Sequence, residues 1–289
     1  MTIAYIFLLV AIFAASANSV VLHKSGAGKR ELIFKLNFIG SLCWCVILFV
    51  ANGGKIAING GTIMWAMIYG IVQSLFVLTK AAAMSTGPVA ITTLLGNSSL
   101  IISTLVSLVV WDERVSIGQA AGVLLLLAGI VLCTYKKSSG EYSTKWKILS
   151  ALFLIMAASV GITFKAFSKS GYGEFAGDMM FLSSIVMVIS FAIMCALSGG
   201  FRLPESTELS KNKFLTFSLV SGALSCLYNR LNIFTSGEID AVIFFPGFNG
   251  GVILLSAVLS VIFCRERLSK RQVAGIILGI AGICITGIL

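Results

Sequence analysis

Charged residues are scarce in this chain. Only 11% of the 289 residues are Asp, Glu, Lys or Arg, whereas soluble domains contain roughly a quarter. Hydrophobic residues make up 58%, and the mean hydropathy is +1.02. These values exclude an ordinary soluble protein. The apolar residues come in blocks of roughly 20, the length that crosses the hydrocarbon layer as a helix. We therefore predict an all-α integral membrane protein.

Histidine and acidic residues are too few for most catalytic chemistry. The chain has one histidine, His23, and eleven acidic residues, and its seven cysteines are scattered without a CxxC pair. A metal centre needs several such side chains clustered together. We therefore expect no enzymatic activity, no catalytic residue, no metal and no cofactor, and we interpret the cysteines as small packing residues.

The apolar blocks predict ten membrane-spanning helices joined by short connections, which leave no room for a soluble domain. The predicted spans are 2–23, 32–51, 61–83, 88–111, 117–135, 147–168, 176–198, 213–234, 240–263 and 271–289.

The net charge of +10 comes from lysines and arginines concentrated in short loops beside the spans. Fourteen lie in odd-numbered loops and three in even-numbered loops. Because cytoplasmic loops are enriched in basic residues, this bias predicts a multi-pass protein of the cytoplasmic membrane with both chain ends outside. It argues against a nucleic-acid partner.

Two stretches of the chain are similar to each other. Residues 111–134 read WDERVSIGQAAGVLLLLAGIVLCT, and residues 264–287 read CRERLSKRQVAGIILGIAGICITG. They are identical at ten of 24 positions, including the polar pair Glu113 and Glu266. A fainter similarity links KSGAG at 24–28 with KSGYG at 169–173. The repeated unit therefore contains five predicted helices.

An odd number of helices makes the second copy enter the membrane from the opposite side. We predict two inverted five-helix repeats, at 1–135 and 147–289, joined by an inter-repeat loop at 136–146. Inverted repeats suit alternating access, because exchanging the conformations of the two halves turns an outward-open cavity into an inward-open one. The doubling therefore favours a carrier.

The motifs DERVSIGQAAGVLLLLAGI and RERLSKRQVAGIILGIAGI, with STGPVA leading into the fourth span, resemble the EamA-like ten-helix family of the drug/metabolite transporter superfamily. The resemblance implies that spans 3, 4, 8 and 9 line a central cavity, that spans 1 and 6 close it, and that spans 5 and 10 are peripheral. Members of that family usually keep both ends in the cytoplasm, contrary to the charge bias.

Lys80 lies inside an apolar run, LFVLTKAAAM, with no acid nearby. An unpaired ammonium there is costly unless something solvates it. Aligning the halves at an offset of 150 places Lys80 over Arg230. One interpretation is a symmetric pair of basic residues serving an anionic or zwitterionic solute. The other is that each side chain snorkels to the interface.

Helical angles predict different orientations for Lys80 and Arg230. At about 100° per residue, Tyr69, Gln73 and Lys80 share one side of the third span, so Lys80 is predicted to face inward. Arg230 points roughly 140° away from the polar stripe that includes Asn229, which leaves both interpretations open for it.

Asn97 in GNSSLI and Asn249 in FNGGVI occupy matching positions near the middle of their spans, beside small residues that weaken a helix. Interrupted helices expose backbone polar groups to a solute, although asparagines between small residues also serve helix packing. Both interpretations place them at an interface. Our candidate substrate-binding residues are Lys80, Gln73, Tyr69, Asn97, Asn249, Tyr228, Asn229, Arg230, Asn18 and Lys165.

The first, third to sixth, eighth and tenth predicted spans contain no Asp or Glu, which disfavours an exporter that binds cations at a carboxylate. We predict a secondary-active transporter of a small polar metabolite, amino-acid-like and anionic or zwitterionic. The alternative is a non-transporting membrane module, lipid-interacting, assembly or sensory, on a carrier fold. The expected partners are the small-molecule substrate and membrane lipid, and both a monomer and a homodimer remain open.

Overall fold

The computed structural model describes residues 2–25, 30–134, 143–201, 210–264 and 269–288. Every regular element in these ranges is helical. A short 3-10 turn, Gly173–Phe175, precedes the eighth α-helix. The α-helices are α1 (Thr2–Lys24), α2 (Arg30–Ala51), α3 (Gly60–Thr86), α4 (Val89–Asn97), α5 (Ser99–Val110), α6 (Ile117–Thr134), α7 (Thr144–Lys169), α8 (Ala176–Leu197), α9 (Lys211–Glu238), α10 (Ala241–Cys264) and α11 (Lys270–Ile288).

Eight of the described helical segments are long and apolar enough to cross a membrane, which confirms the prediction of an all-α, multi-pass membrane protein. Two predicted spans, which correspond to α6 and α9, are outside this set for different reasons. The apolar part of α6, Ile117–Cys133, is just short of a full span. α9 is long but carries a polar stripe of buried Ser, Asn and Thr side chains on its inner face, which lowers its hydropathy.

The helix bounds lie within a few residues of the predicted spans, with one exception. The predicted span 88–111 is divided at Ser98 into α4 and α5. The Ser98 backbone N–H donates to the carbonyls of Gly96 and Leu94. This joint lies next to Asn97, near the middle of the predicted span.

α6 and α11, which contain the repeated motif, pack tightly against each other in opposite directions. A Cβ added to Gly122 would lie 2.8 Å from the Gly282 carbonyl oxygen, and one added to Gly129 would lie 2.7 Å from that of Gly275. The later glycine of one helix therefore meets the earlier glycine of the other, which is an antiparallel arrangement. Glycine is required here because any side chain would separate the two backbones.

α2 and α8 are also antiparallel. Cys45 Sγ lies 3.0 Å from Ser184 Oγ, and Asn52 Nδ2 donates to Asp178 Oδ1 at 3.5 Å. The remaining packing has the same form in both parts of the chain: α1 packs on α9 and α10, whereas α7 packs on α3, α4 and α5.

We name the two ends of the helical bundle after α1. The N1 face is the end at which α1 begins, and the C1 face is the end at which it ends. The core toward the N1 face contains Ala4, Leu8, Ile239 and Ala241, all buried. The Arg and Lys residues at 29, 136, 137, 202, 265 and 267, which contribute to the predicted orientation, lie outside the described residues, as does most of the predicted inter-repeat loop.

Candidate functional site

A cavity of about 400 Å³ lies among α1, α2, α3, α4, α8, α9 and α10, within the size range of small-molecule sites, roughly 300–1,000 Å³. A second compartment of about 210 Å³ adjoins it and is lined also by α5 and α7. The lining residues shared by the two compartments are Gln73, Phe76, Lys80, Asn97, Tyr228, Phe248 and Asn249.

The cavity extends toward one end of the bundle only. Leu22, Ile33 and Met84 line it close to the C1 ends of their helices. In the opposite direction the lining ends at Asn232 and Phe244 in the smaller compartment. The packed core of the N1 face lies beyond them, so the two mouths of the bundle differ.

Lys80 is half-buried and lines both compartments. Its Nζ lies 5.9 Å from the centroid of the Phe76 ring, close enough for a cation–π interaction. Among the described residues no carboxylate forms an ion pair with it. A ring face compensates only part of the solvation that an ammonium loses on burial, so this charge is available to an anionic group in the cavity.

Three amide oxygens add hydrogen-bond acceptors to the compartments that Lys80 lines. Asn18 Oδ1, Gln73 Oε1 and Asn232 Oδ1 are buried without a donor from the part of the chain that the structure describes, and all three residues line the compartments. A buried acceptor left unsatisfied costs about 1–3 kcal/mol. These atoms are therefore suited to accept hydrogen bonds from a solute or from water in the cavity.

Asn97 and Asn249 both line the two compartments, but only one of them lies at a helix interruption. α4 ends at Asn97, whereas α10 continues through Asn249. Of the two interpretations of these asparagines, an interrupted helix therefore fits Asn97 but not Asn249. Pro246 lies inside α10 without a backbone donor, and Asn249 Nδ2 donates to the Phe245 carbonyl at 3.0 Å, which adds a side-chain hydrogen bond beside the proline.

Tyr228 and Asn229 line the cavity from α9, but Tyr69 and Arg230 do not. Tyr69 is fully buried and donates its hydroxyl to Asn229 Oδ1 at 3.2 Å, so it orients a lining residue. Arg230 is exposed, and its guanidinium lies near Gly177 at the start of α8. That position fits the snorkelling interpretation.

Lys165 lies outside the cavity lining, contrary to our expectation that it could reach the solute. Its Nζ lies 2.7 Å from Glu113 Oε1 and donates to the Ile239 carbonyl at 3.0 Å. The Lys165 side chain is 1% exposed. Both the carboxylate and the carbonyl hold its ammonium away from the compartments.

Sequence reasoning did not find Glu113 as the partner of Lys165, nor Trp44 and Ser225 as lining residues. Trp44 Nε1 donates to Ser225 Oγ at 2.9 Å, and both residues line the larger compartment. The signal for Glu113 was its identity with Glu266 in the second copy. No pattern in the sequence singles out Trp44.

No family model matches the chain. An "Uncharacterized protein" of Haemophilus influenzae (strain ATCC 51907 / DSM 11121 / KW20 / Rd) is 23% identical over 193 residues. That match covers 64% of this chain and 62% of the relative, so the chain spans less than two thirds of the relative's length. One solved protein crystal structure has the same fold, with a TM-score of 0.77 and 16% identity, covering 99% of this chain and 98% of that one.

Proposed function

We propose that this protein is a secondary-active transporter that moves a small polar metabolite across the cytoplasmic membrane by alternating access. The solute is amino-acid-like and anionic or zwitterionic. The observation that carries the proposal is Lys80, an ammonium without a carboxylate partner among the described residues, which lines both compartments beside Asn97 and Asn249.

The arrangement of the helices supports alternating access. Inverted repeats require matching helices to run in opposite directions, and α6 with α11 and α2 with α8 are antiparallel pairs. The cavity extends to the C1 ends of α1, α2 and α3, whereas the N1 side is packed. A two-fold exchange of the halves would reverse this difference. We further propose that the chain crosses the membrane ten times, that its spans form two inverted repeats, and that it belongs to the EamA-like family.

The polarity of the cavity supports the solute class. Lys80 supplies one positive charge for a carboxylate, and the amide oxygens of Asn18 and Gln73 supply acceptors for a donor group of the solute. None of the described residues that line either compartment is an Asp or a Glu. A solute with a net positive charge would therefore meet Lys80 without a compensating carboxylate.

A binding screen tests this proposal. Purified, reconstituted protein would be heated with amino acids, organic acids, phosphate esters, sugar conjugates and organic cations. A ligand that binds the folded state raises the apparent melting temperature. We expect stabilisation by members of the first two classes, lost in Lys80→Met and retained in Arg230→Met. Stabilisation by cations alone, or equal stabilisation of Lys80→Met, would contradict the proposal.

A further inference from the structure

The ion pair between Glu113 and Lys165 lies where three parts of the chain meet at the N1 face. Glu113 lies in the segment between α5 and α6, and Lys165 lies in the last two turns of α7. Glu113 Oε2 also accepts the backbone N–H of Ala241 at 2.7 Å, while Lys165 donates to the Ile239 carbonyl. Glu113 therefore holds the end of α7 and the turn between α9 and α10 to the α5–α6 segment.

These contacts link the two halves of the chain. Glu113 belongs to the first predicted repeat, whereas Lys165, Ile239 and Ala241 belong to the second. Any motion that separates the halves at the N1 face must break the ion pair and the hydrogen bond to Ala241. Both charged side chains are largely buried: Lys165 is 1% exposed and Glu113 is 12% exposed. Water can therefore solvate them only when the N1 face opens.

An apolar layer lies between this pair and the cavity. Phe244 and Phe245 are almost fully buried, with ring centroids 5.2 Å apart, and both line the smaller compartment. A Cβ added to Gly161 of α7 would lie 2.7 Å from Phe245 Cε1, so α7 approaches this layer closely. The floor of the cavity thus consists of aromatic rings next to an ionic contact.

The equivalent position in the first copy cannot form the same ion pair. The offset of 145 between KSGAG and KSGYG places Lys165 over Val20. A valine has no charge with which to bind a carboxylate at the C1 face. An ion pair at this position therefore acts on the N1 mouth alone, which agrees with the extension of the cavity to the C1 ends of α1, α2 and α3.

We propose that Glu113 and Lys165 form an ionic gate that keeps the N1 mouth closed and must open once in every transport cycle. This inference rests on the proposed function. Removing one charge leaves its partner buried and unpaired when the mouth is closed, which is unfavourable. Water can solvate that partner when the mouth is open. The loss of either charge should therefore shift the population toward the N1-open conformation.

Distance measurements across the N1 mouth test the gate. Spin labels at Arg114 and Lys169, both exposed, would be introduced into full-length protein with the native cysteines replaced, and measured by pulsed EPR in lipid nanodiscs. We expect one short distance in the parent protein. Glu113→Gln and Lys165→Met should each add a longer-distance population, at least tenfold larger than any in the parent.

Two further variants serve as controls for the loss of a nearby charge and for misfolding. Glu174→Gln removes an exposed acid near the end of α7 and should leave the distances unchanged. The double variant Glu113→Gln/Lys165→Met leaves no unpaired charge in the closed mouth, so it should fold even where a single variant does not, and it should show a smaller open population than either single variant. Unchanged distances in both folded single variants, or a double variant as open as the single variants, would overturn the gate.

The outcome is separable from the transport proposal because these distances are measured without solute. Lys80→Met should abolish ligand stabilisation and retain the short N1 distance. If the gate variants open while no ligand of any class stabilises the protein, the gate stands and the transport proposal fails. If ligands bind but both single variants, Glu113→Gln and Lys165→Met, stay closed, the transport proposal stands and the gate fails.

Discussion

Gly129 of α6 packs directly against Gly275 of α11, and a Cβ added to either glycine would lie 2.7 Å from the carbonyl oxygen of the other. With Gly122 and Gly282 on the same two helices, this contact brings the ends of the two sequence copies together in opposite directions. Backbone on both sides of the contact leaves nothing flexible to move aside.

Gly275→Ala is expected to destabilise the protein. The added methyl group must separate α6 from α11, and overpacking of this kind costs about 1–3 kcal/mol. Thermal unfolding in detergent should show a lower melting temperature. Gly287→Ala on the same helix is the matched control, since its Cβ would meet no described residue within 4 Å. Equal melting temperatures for the two variants would mean that the helices separate without cost.

Lys80→Met should reduce uptake into proteoliposomes of any solute found by the binding screen. A hydrogen bond to a charged group contributes about 1.5–3 kcal/mol, so its loss should weaken apparent affinity by roughly tenfold to a hundredfold. Arg230→Met removes the residue that aligns with Lys80 but lies outside the cavity, and it should transport normally. Equal losses of transport in Lys80→Met and Arg230→Met would show that Lys80 does not belong to the binding site.

Asn249→Trp should block transport while preserving insertion and folding. Asn249 lines both compartments, and an indole there would occupy much of the smaller one, whose volume is about 210 Å³. Ile262→Trp places the same side chain on an exposed position of α10 and serves as the control. Full function of a stably folded Asn249→Trp protein would favour the alternative of a non-transporting module.

The location of the chain ends can be tested with a reporter fused after Leu289. The excess of basic residues in odd-numbered loops predicts that this end is outside, so a reporter that is active only in the cytoplasm should be silent. A periplasmic or extracellular reporter at the same position should be active. The opposite pattern would show that the usual orientation of the resembling family applies and that the N1 face is cytoplasmic.

Local sequence features predicted most of the helices because each apolar block is long enough to be recognised by itself. The division at Ser98 agrees with one of the two interpretations of GNSSLI, in which small residues weaken the helix, and the inward position of Lys80 followed from helical periodicity. The corresponding small residues of FNGGVI do not interrupt their helix, since α10 continues through Pro246 and Asn249. Local sequence also did not reveal the position of Lys165, because its partner Glu113 is 52 residues away in sequence.

The sequence by itself determined that this chain is a helical membrane protein, because burial in lipid demands long apolar helices wherever they lie along the chain. It also placed a lysine among apolar residues without saying what surrounds it. Only the tertiary structure decided that Lys80 lines a cavity, that Arg230 does not, and that Lys165 is paired with Glu113. Those outcomes depend on which distant side chains meet, and a charge in a membrane protein is stabilised by its neighbours in space.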